Sequence, residues 1–291
     1  MKIIDKPVAG APRTAATVVL LRDATDGMEV FMVKRHGLSD AFGGAYVFPG
    51  GKVDRADADP QVLQRLSAPL ESLHASLGEP ELDLATAASI FVAACRETFE
   101  EAGVLLAEGA TAQDVELVQK HAREGINFGD SLAQLGLRLN CHSVVPWSRW
   151  ITPDIPAKPI KRFDARFFLA VIPNDQEPRH DNFEATESFW LRPRVVLEQY
   201  WAKEINLVPA QIMSMAVLAG YTNVAEVIAA ARGRLPPLIQ PEPFMHEQRP
   251  AIAFPGCEWH PVVERALAGP SFLVLRNERF EPLDGFEAFF A

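Results

Sequence analysis

The run Leu84–Ala102, closed by Gly103, restricts this chain more than any other stretch. It reads as the strongest helix of the sequence. At about 100° per residue, Phe91, Cys95, Thr98, Phe99 and Ala102 gather on one side, while Glu97, Glu100 and Glu101 gather on another. Gly103 suits the left-handed position just past a helix end. The three carboxylates stand at i, i+3 and i+4, where like charges repel, and near a helix C-terminus, where the macrodipole disfavours anions. Two penalties on one turn ask for a counter-charge. A solvated acidic face with Arg96 paired to Glu100 is one answer. A bound Mg²⁺ or Mn²⁺ is the other, since hard cations prefer carboxylate oxygen.

Upstream, Thr14–Leu21 and Met28–Lys34 read as buried strands joined by the turn residues of Asp23–Gly27. A glycine-rich loop (Phe42-Gly43-Gly44-Ala45) leads to a short strand, Tyr46-Val47-Phe48, which Pro49-Gly50-Gly51 should break. Adjacent glycines let a backbone approach a ligand closely. Residues 55–85 have a polar, alanine- and leucine-rich texture that reads as a helical insertion, with Asp59-Pro60 as a helix start. Downstream the pattern predicts helices over Thr111–Glu124 and Ser131–Leu137. Strands follow near Trp150-Ile151, over Arg162–Ile172 and over Glu184–Leu191. Arg194–Lys203, Pro209–Ala219 and Val224–Arg232 read as helices, the last capped by Asn223. The tail 244–291 reads as short strands. The expected division is a domain over 12–195, carrying the insertion, and a helical and extended segment over 196–291 packed on it.

Composition limits the partners. A formal net charge of −10 argues against non-specific binding to nucleic acid or an anionic membrane. It leaves room for a small phosphorylated substrate at a locally neutralised site. Cys95, Cys141 and Cys257 are too few and too scattered for a disulfide framework. With no apolar run of signal-peptide or membrane-span length, a cytoplasmic protein is the default expectation.

Arg96-Glu97-Thr98-Phe99-Glu100-Glu101-Ala102-Gly103-Val104 resembles the second half of the Nudix box, Arg-Glu-U-x-Glu-Glu-x-Gly-U, with U a bulky apolar residue and Thr98 a mild departure. Phe48-Pro49-Gly50-Gly51 is similar to the strand-and-glycine lead-in of the same box. The usual box has a glutamate six residues after the glycine, with seven residues between it and the arginine. Here position 57 is aspartate and 38 residues lie between it and Arg96, so an insertion of about 31 residues splits the box. An interrupted box of this kind resembles the subgroup of coenzyme A diphosphatases. Arg35-His36, Trp150-Ile151-Thr152-Pro153, Arg162-Phe163-Asp164 and Glu187-x-x-Trp190-Leu191 add to the likeness.

The resemblance implies an α/β/α sandwich with a mixed sheet, and hydrolysis of a nucleoside diphosphate linked to another moiety. Coenzyme A or acyl-coenzyme A is the favoured substrate class. ADP-ribose or a dinucleotide is the alternative, and a non-catalytic ligand-binding module a further one. It implies Mg²⁺ or Mn²⁺ held by Glu97, Glu100, Glu101 and the Gly50 carbonyl. Arg96 would orient the acids, with Asp54 and Asp57 competing for the upstream acidic place. Gly51, Arg35, Lys161 and Arg162 are candidate substrate contacts, the basic pair with Lys158 being an ordinary solvated loop on the plainer view. Glu97, Glu184 or Glu187 could act as general base; the plain alternative for the last two is strand-surface charge. Trp147 and Trp150 could stack on a base or simply pack in the core. The insertion could serve as a lid or as a homodimer contact.

Overall fold

The computed structural model describes residues 11–36, 43–153, 161–179 and 185–291. In chain order the first part gives β1 (Arg13–Ala24), β2 (Gly27–Arg35), β3 (Tyr46–Val47), β4 (Gly50–Lys52), α1 (Pro60–Leu63), α2 (Leu70–Leu77), α3 (Leu84–Ala102), α4 (Ala112–Arg123) and α5 (Phe128–Leu135). Then come β5 (Val144–Ile151), β6 (Phe163–Val171), β7 (Ala185–Leu191), α6 (Pro193–Trp201), α7 (Pro209–Leu218) and α8 (Val224–Arg232). The tail holds β8 (Leu238–Ile239), β9 (Glu242–His246), β10 (Arg249–Ala253), β11 (Phe272–Arg276) and β12 (Arg279–Glu281).

An eight-stranded mixed sheet runs β3-β2-β1-β6-β5-β8, with β4 added to β1 and β7 to β2. β1 and β6 pair in parallel from Arg13↔Phe163 to Leu21↔Val171. Strand β1 is fully buried from Val18 to Leu21, as expected of a central strand covered on both faces. Along it, alternate residues enter two cores. Ala16, Val18 and Leu20 face α1–α5; Ala15, Val19 and Leu21 face α6–α8 and the C-terminal segment. Helices on both sides of a mixed sheet make the expected α/β/α sandwich.

The α3 reading holds to the residue. Asp83 accepts from Thr86 N at the start, and Gly103 closes it at φ 67°. Asn223 caps α8 as anticipated, accepting from Glu226 N. α5 begins earlier than its apolar pattern suggested, because Asn127 caps it. One expectation is corrected: Pro49-Gly50-Gly51 does not end the strand region. Gly50–Lys52 pairs antiparallel with β1, Gly51 opposite Ala16. Side-chain-free backbone allows that close pairing, so a sequence that looks like a break forms a strand.

The insertion is part of the core. Val62, Leu66, Leu73 and Leu77 are buried against α3 and its neighbours. Its Glu79 pairs with Arg166 and Arg149, and Asp164 completes the network. In the tail, β12-β11-β10-β9 form a second sheet. Its Ile252 and Leu273, with Phe254 and Phe289, join the core under α6–α8. No helix among the described residues is long and apolar enough to cross a membrane.

Candidate functional site

The two halves of the acidic motif meet where α3 crosses β4. The Gly50 N–H donates to Glu101 Oε2 at 2.8 Å. A Cβ at position 50 would stand 2.5 Å from Ala16 O and 2.7 Å from Thr17 Cα; one at position 51 would overlap the Glu97 carboxyl group. The pair is therefore required by close approach, to the backbone of β1 on one side and to a carboxylate on the other.

Arg96 is the hub. Its Nε and Nη2 donate to the two Asp57 oxygens at 2.8 and 2.9 Å. Nη1 reaches Glu97 Oε1 at 2.8 Å and Glu100 Oε2 at 2.9 Å. Nη2 also donates to the Lys52 carbonyl at 3.0 Å. Asp57 is 2% exposed and accepts the Asp54 N–H at 2.8 Å. It lies in a short 3-10 turn, Arg55–Ala58. Asp54 is half-exposed, paired with Lys52 at 2.7 Å and 4.0 Å from Arg96. Of the two aspartates, Asp57 makes the close, buried pair with the arginine.

Burial alone would lower the Arg96 pKa. Hydrogen bonds donated to Asp57 and the charges of Glu97, Asp57 and Glu100 outweigh it and hold the guanidinium well above its ordinary value. Burial raises the Glu100 carboxyl above the usual glutamate range, opposed in part by Arg96. Thr98, where a bulky apolar residue was expected, is fully buried and donates its hydroxyl to Ala94 O at 2.7 Å. The helix satisfies it, so a polar residue is accommodated at an apolar place.

Glu97, Glu100, Glu101 and the Gly50 carbonyl offer only oxygen donors, and Gly51 lets the Glu97 carboxyl group lie where a Cβ would overlap it. That chemistry fits Mg²⁺ or Mn²⁺. Among the described residues no three acidic, histidine or cysteine side chains already converge on one point. Arg96 Nη1 binds Glu97 and Glu100 together, while Glu101 is bound separately by the Gly50 N–H.

Other candidate residues lie elsewhere on the sheet. Arg162 donates from Nε to Thr152 O at 3.0 Å, and with exposed Lys161 it stands at the entry to β6. Arg35 ends β2 with a buried Nε that has no hydrogen-bond partner among the described residues. Glu187 of β7 accepts from Lys34 at 2.7 Å and Tyr46 at 2.6 Å, across three adjacent strands. Alternation puts that network on the sheet face away from α3: its neighbours Tyr46 and Phe189 belong to the core opposite. Burial, then the bond to Glu187, raises the Tyr46 pKa. Glu184 and Lys158 lie outside the described residues. Trp147 and Trp150 are core residues, 3% and 5% exposed. The Glu79–Arg166 pair was missed, because nothing local signals a contact between residues so far apart.

A mixed sheet between helical layers, with a Gly-Gly strand laid against an Arg-Glu-x-x-Glu-Glu-x-Gly helix, defines a Nudix fold. Comparison with known proteins agrees. A solved Nudix hydrolase from Alicyclobacillus acidocaldarius superposes with a TM-score of 0.59 and 28% identity, covering 79% of this chain and 99% of that one. The chain belongs to the NUDT19 Nudix domain family, whose profile matches residues 9–218. It is 27% identical over 238 residues to the acyl-coenzyme A diphosphatase NUDT19 of Xenopus laevis, covering 70% of this chain and 63% of the frog protein. It is 27% identical over 217 residues to the putative nudix hydrolase 7 of Caenorhabditis elegans, covering 73% of this chain and 62% of the worm protein. The chain thus spans less than two thirds of the length of either.

Proposed function

We propose that this chain is a metal-dependent diphosphatase that cleaves a nucleoside diphosphate linked to another moiety, with coenzyme A or acyl-coenzyme A as its substrate class. One observation carries the reading. All three helix acids of the box are present, and a single buried arginine gathers two of them against the Gly-Gly strand. The frog relative's name, acyl-coenzyme A diphosphatase, favours the substrate class.

Glu97, Glu100, Glu101 and the Gly50 carbonyl would hold Mg²⁺ or Mn²⁺. Bound there, the cation would neutralise charge on the diphosphate and lower the pKa of the attacking water. Arg96, itself fixed by Asp57, presents Glu97 and Glu100 together, which would reduce the reorganisation needed to bind a cation. Gly51 lets the Glu97 carboxyl group lie directly against the backbone of β4. A general base must lie near the diphosphate. Glu97 satisfies that better than Glu187, whose oxygens are engaged by Lys34 and Tyr46 on the other face.

The test is a hydrolysis panel of coenzyme A, acyl-coenzyme A, ADP-ribose and dinucleotides, with Mg²⁺ or Mn²⁺ and with chelator. Release of 3′,5′-ADP from coenzyme A, abolished by chelator, is the expected result. Preference for ADP-ribose or a dinucleotide would refute the substrate class. Binding without turnover on any metal would refute catalysis. Glu100→Gln should remove turnover by about 10²-fold or more while leaving the protein folded.

A further inference from the structure

Beside the acids lies a cavity of about 400 Å³ that the reaction itself does not require. One edge is polar and belongs to the site: Asp54, Asp57, Arg96 and Glu100. The rest is largely apolar. Val92 and Phe99 of α3, Val118 and Ala122 of α4, Ile126 before α5 and Val62 of the insertion supply its walls. Val92, Arg96, Phe99 and Glu100 follow one another along a single stripe of α3, so wall and acid edge are continuous. The size falls within the usual range for small-molecule pockets.

Charge restricts what can enter. Among the described residues Arg96 is the only lysine or arginine lining the cavity, and its donors are taken by Asp57, Glu97, Glu100 and the Lys52 carbonyl. The remaining charged groups of the edge are carboxylates. A further phosphate would meet repulsion there, because Arg96 is engaged and the cation proposed on the helix acids would be taken up by the diphosphate itself. An uncharged aliphatic group would find the walls it needs.

We infer that this cavity receives the aliphatic substituent on one side of the scissile diphosphate, and that the phosphorylated nucleoside lies away from it. This rests on the diphosphatase reading and adds an orientation. In coenzyme A the group next to the diphosphate on the non-nucleoside side is a dimethyl-substituted carbon chain, which suits a valine- and isoleucine-lined wall. In a dinucleotide both sides are nucleosides, and neither matches. The insertion contributes Val62, so the segment that splits the acidic motif also shapes the specificity pocket.

Two variants on the exposed side of the cavity test this, Ala122→Phe and Ile126→Glu, with thermal melts confirming the fold. The probes are 4′-phosphopantetheine and 3′,5′-ADP, titrated calorimetrically in Mg²⁺, alongside KM for coenzyme A. Both variants should weaken 4′-phosphopantetheine and raise KM for coenzyme A by about tenfold or more, with 3′,5′-ADP affinity unchanged. Unaltered 4′-phosphopantetheine binding and KM, in variants of an enzyme that hydrolyses coenzyme A, would overturn the cavity assignment alone. Weakening confined to 3′,5′-ADP would reverse the orientation and so refute it. A wild-type protein that neither binds the two probes nor hydrolyses coenzyme A would bring down the diphosphatase reading and this inference together.

Discussion

Asp57 is one methylene shorter than the glutamate usual at its place, yet both of its oxygens reach Arg96. The 3-10 turn brings its backbone close enough for the shorter side chain. Removing one partner of a buried pair typically costs about 3–5 kcal/mol. Asp57→Ala should therefore lower the melting temperature sharply, and it should also reduce kcat because Arg96 no longer fixes the acids. Asp57→Glu, although it restores the common residue, lengthens a side chain whose oxygens already close on Arg96 at 2.8 and 2.9 Å, and should cost about 1–3 kcal/mol. Denaturant titration would measure both, and a neutral Asp57→Glu would show that the turn can retreat. Glu100 behaves differently. Burial raises its pKa in the folded state. The stability it permits is therefore complete below its unfolded pKa and declines as pH rises through the folded value. In chelator at pH 7, Glu100→Gln should melt at or above the wild type, and the difference should vanish at pH below about 4. Melts across pH would expose the opposite sign if Arg96 dominated.

At the level of elements, Glu79 does for the insertion what Asp57 does for the helix. It is 5% exposed, Arg166 is 3% exposed, and together with Arg149 and Asp164 they fasten the chain after α2 to β5 and β6. Glu79→Ala should cost about 3–5 kcal/mol by leaving Arg166 buried with only Asp164 as a carboxylate partner. Urea midpoints would show this, and a loss under 1 kcal/mol would mean that the insertion is held by its apolar residues alone. How much of this the sequence displayed varies by element. α3 was legible to its last residue because periodicity, cap and Gly103 all agree. The acids and their spacing were legible for the same reason. β4 was not, since glycines adjoining a proline signal a turn locally, and only the neighbouring β1 backbone makes them a strand. That Glu79 reaches Arg166 was invisible, because a buried ion pair between distant segments leaves no local pattern.

Across the whole molecule, the match to the family ends at residue 218, but the core does not. Phe254, Leu273 and Phe289, all 1% exposed or less, share a cluster with Val19 and Leu21 of the central strand. A chain ending after α7 would uncover that cluster, losing about 2 kcal/mol or more for each large side chain exposed. Such a truncation should be aggregated or molten in size-exclusion chromatography, whereas a sharp monomeric peak with a cooperative melt would show that the tail is dispensable.

The parallel pairing of β1 with β6 sets a timetable for synthesis. Arg13 must wait for Phe163, about 150 residues later, and at about 5–20 residues per second that is roughly 8–30 s on the ribosome. Through that interval the apolar edge of Val18–Leu21 has no parallel neighbour. A chain made at lower temperature, or with chaperones in excess, should give a higher soluble yield, because the nascent strand then has less opportunity to pair with another chain.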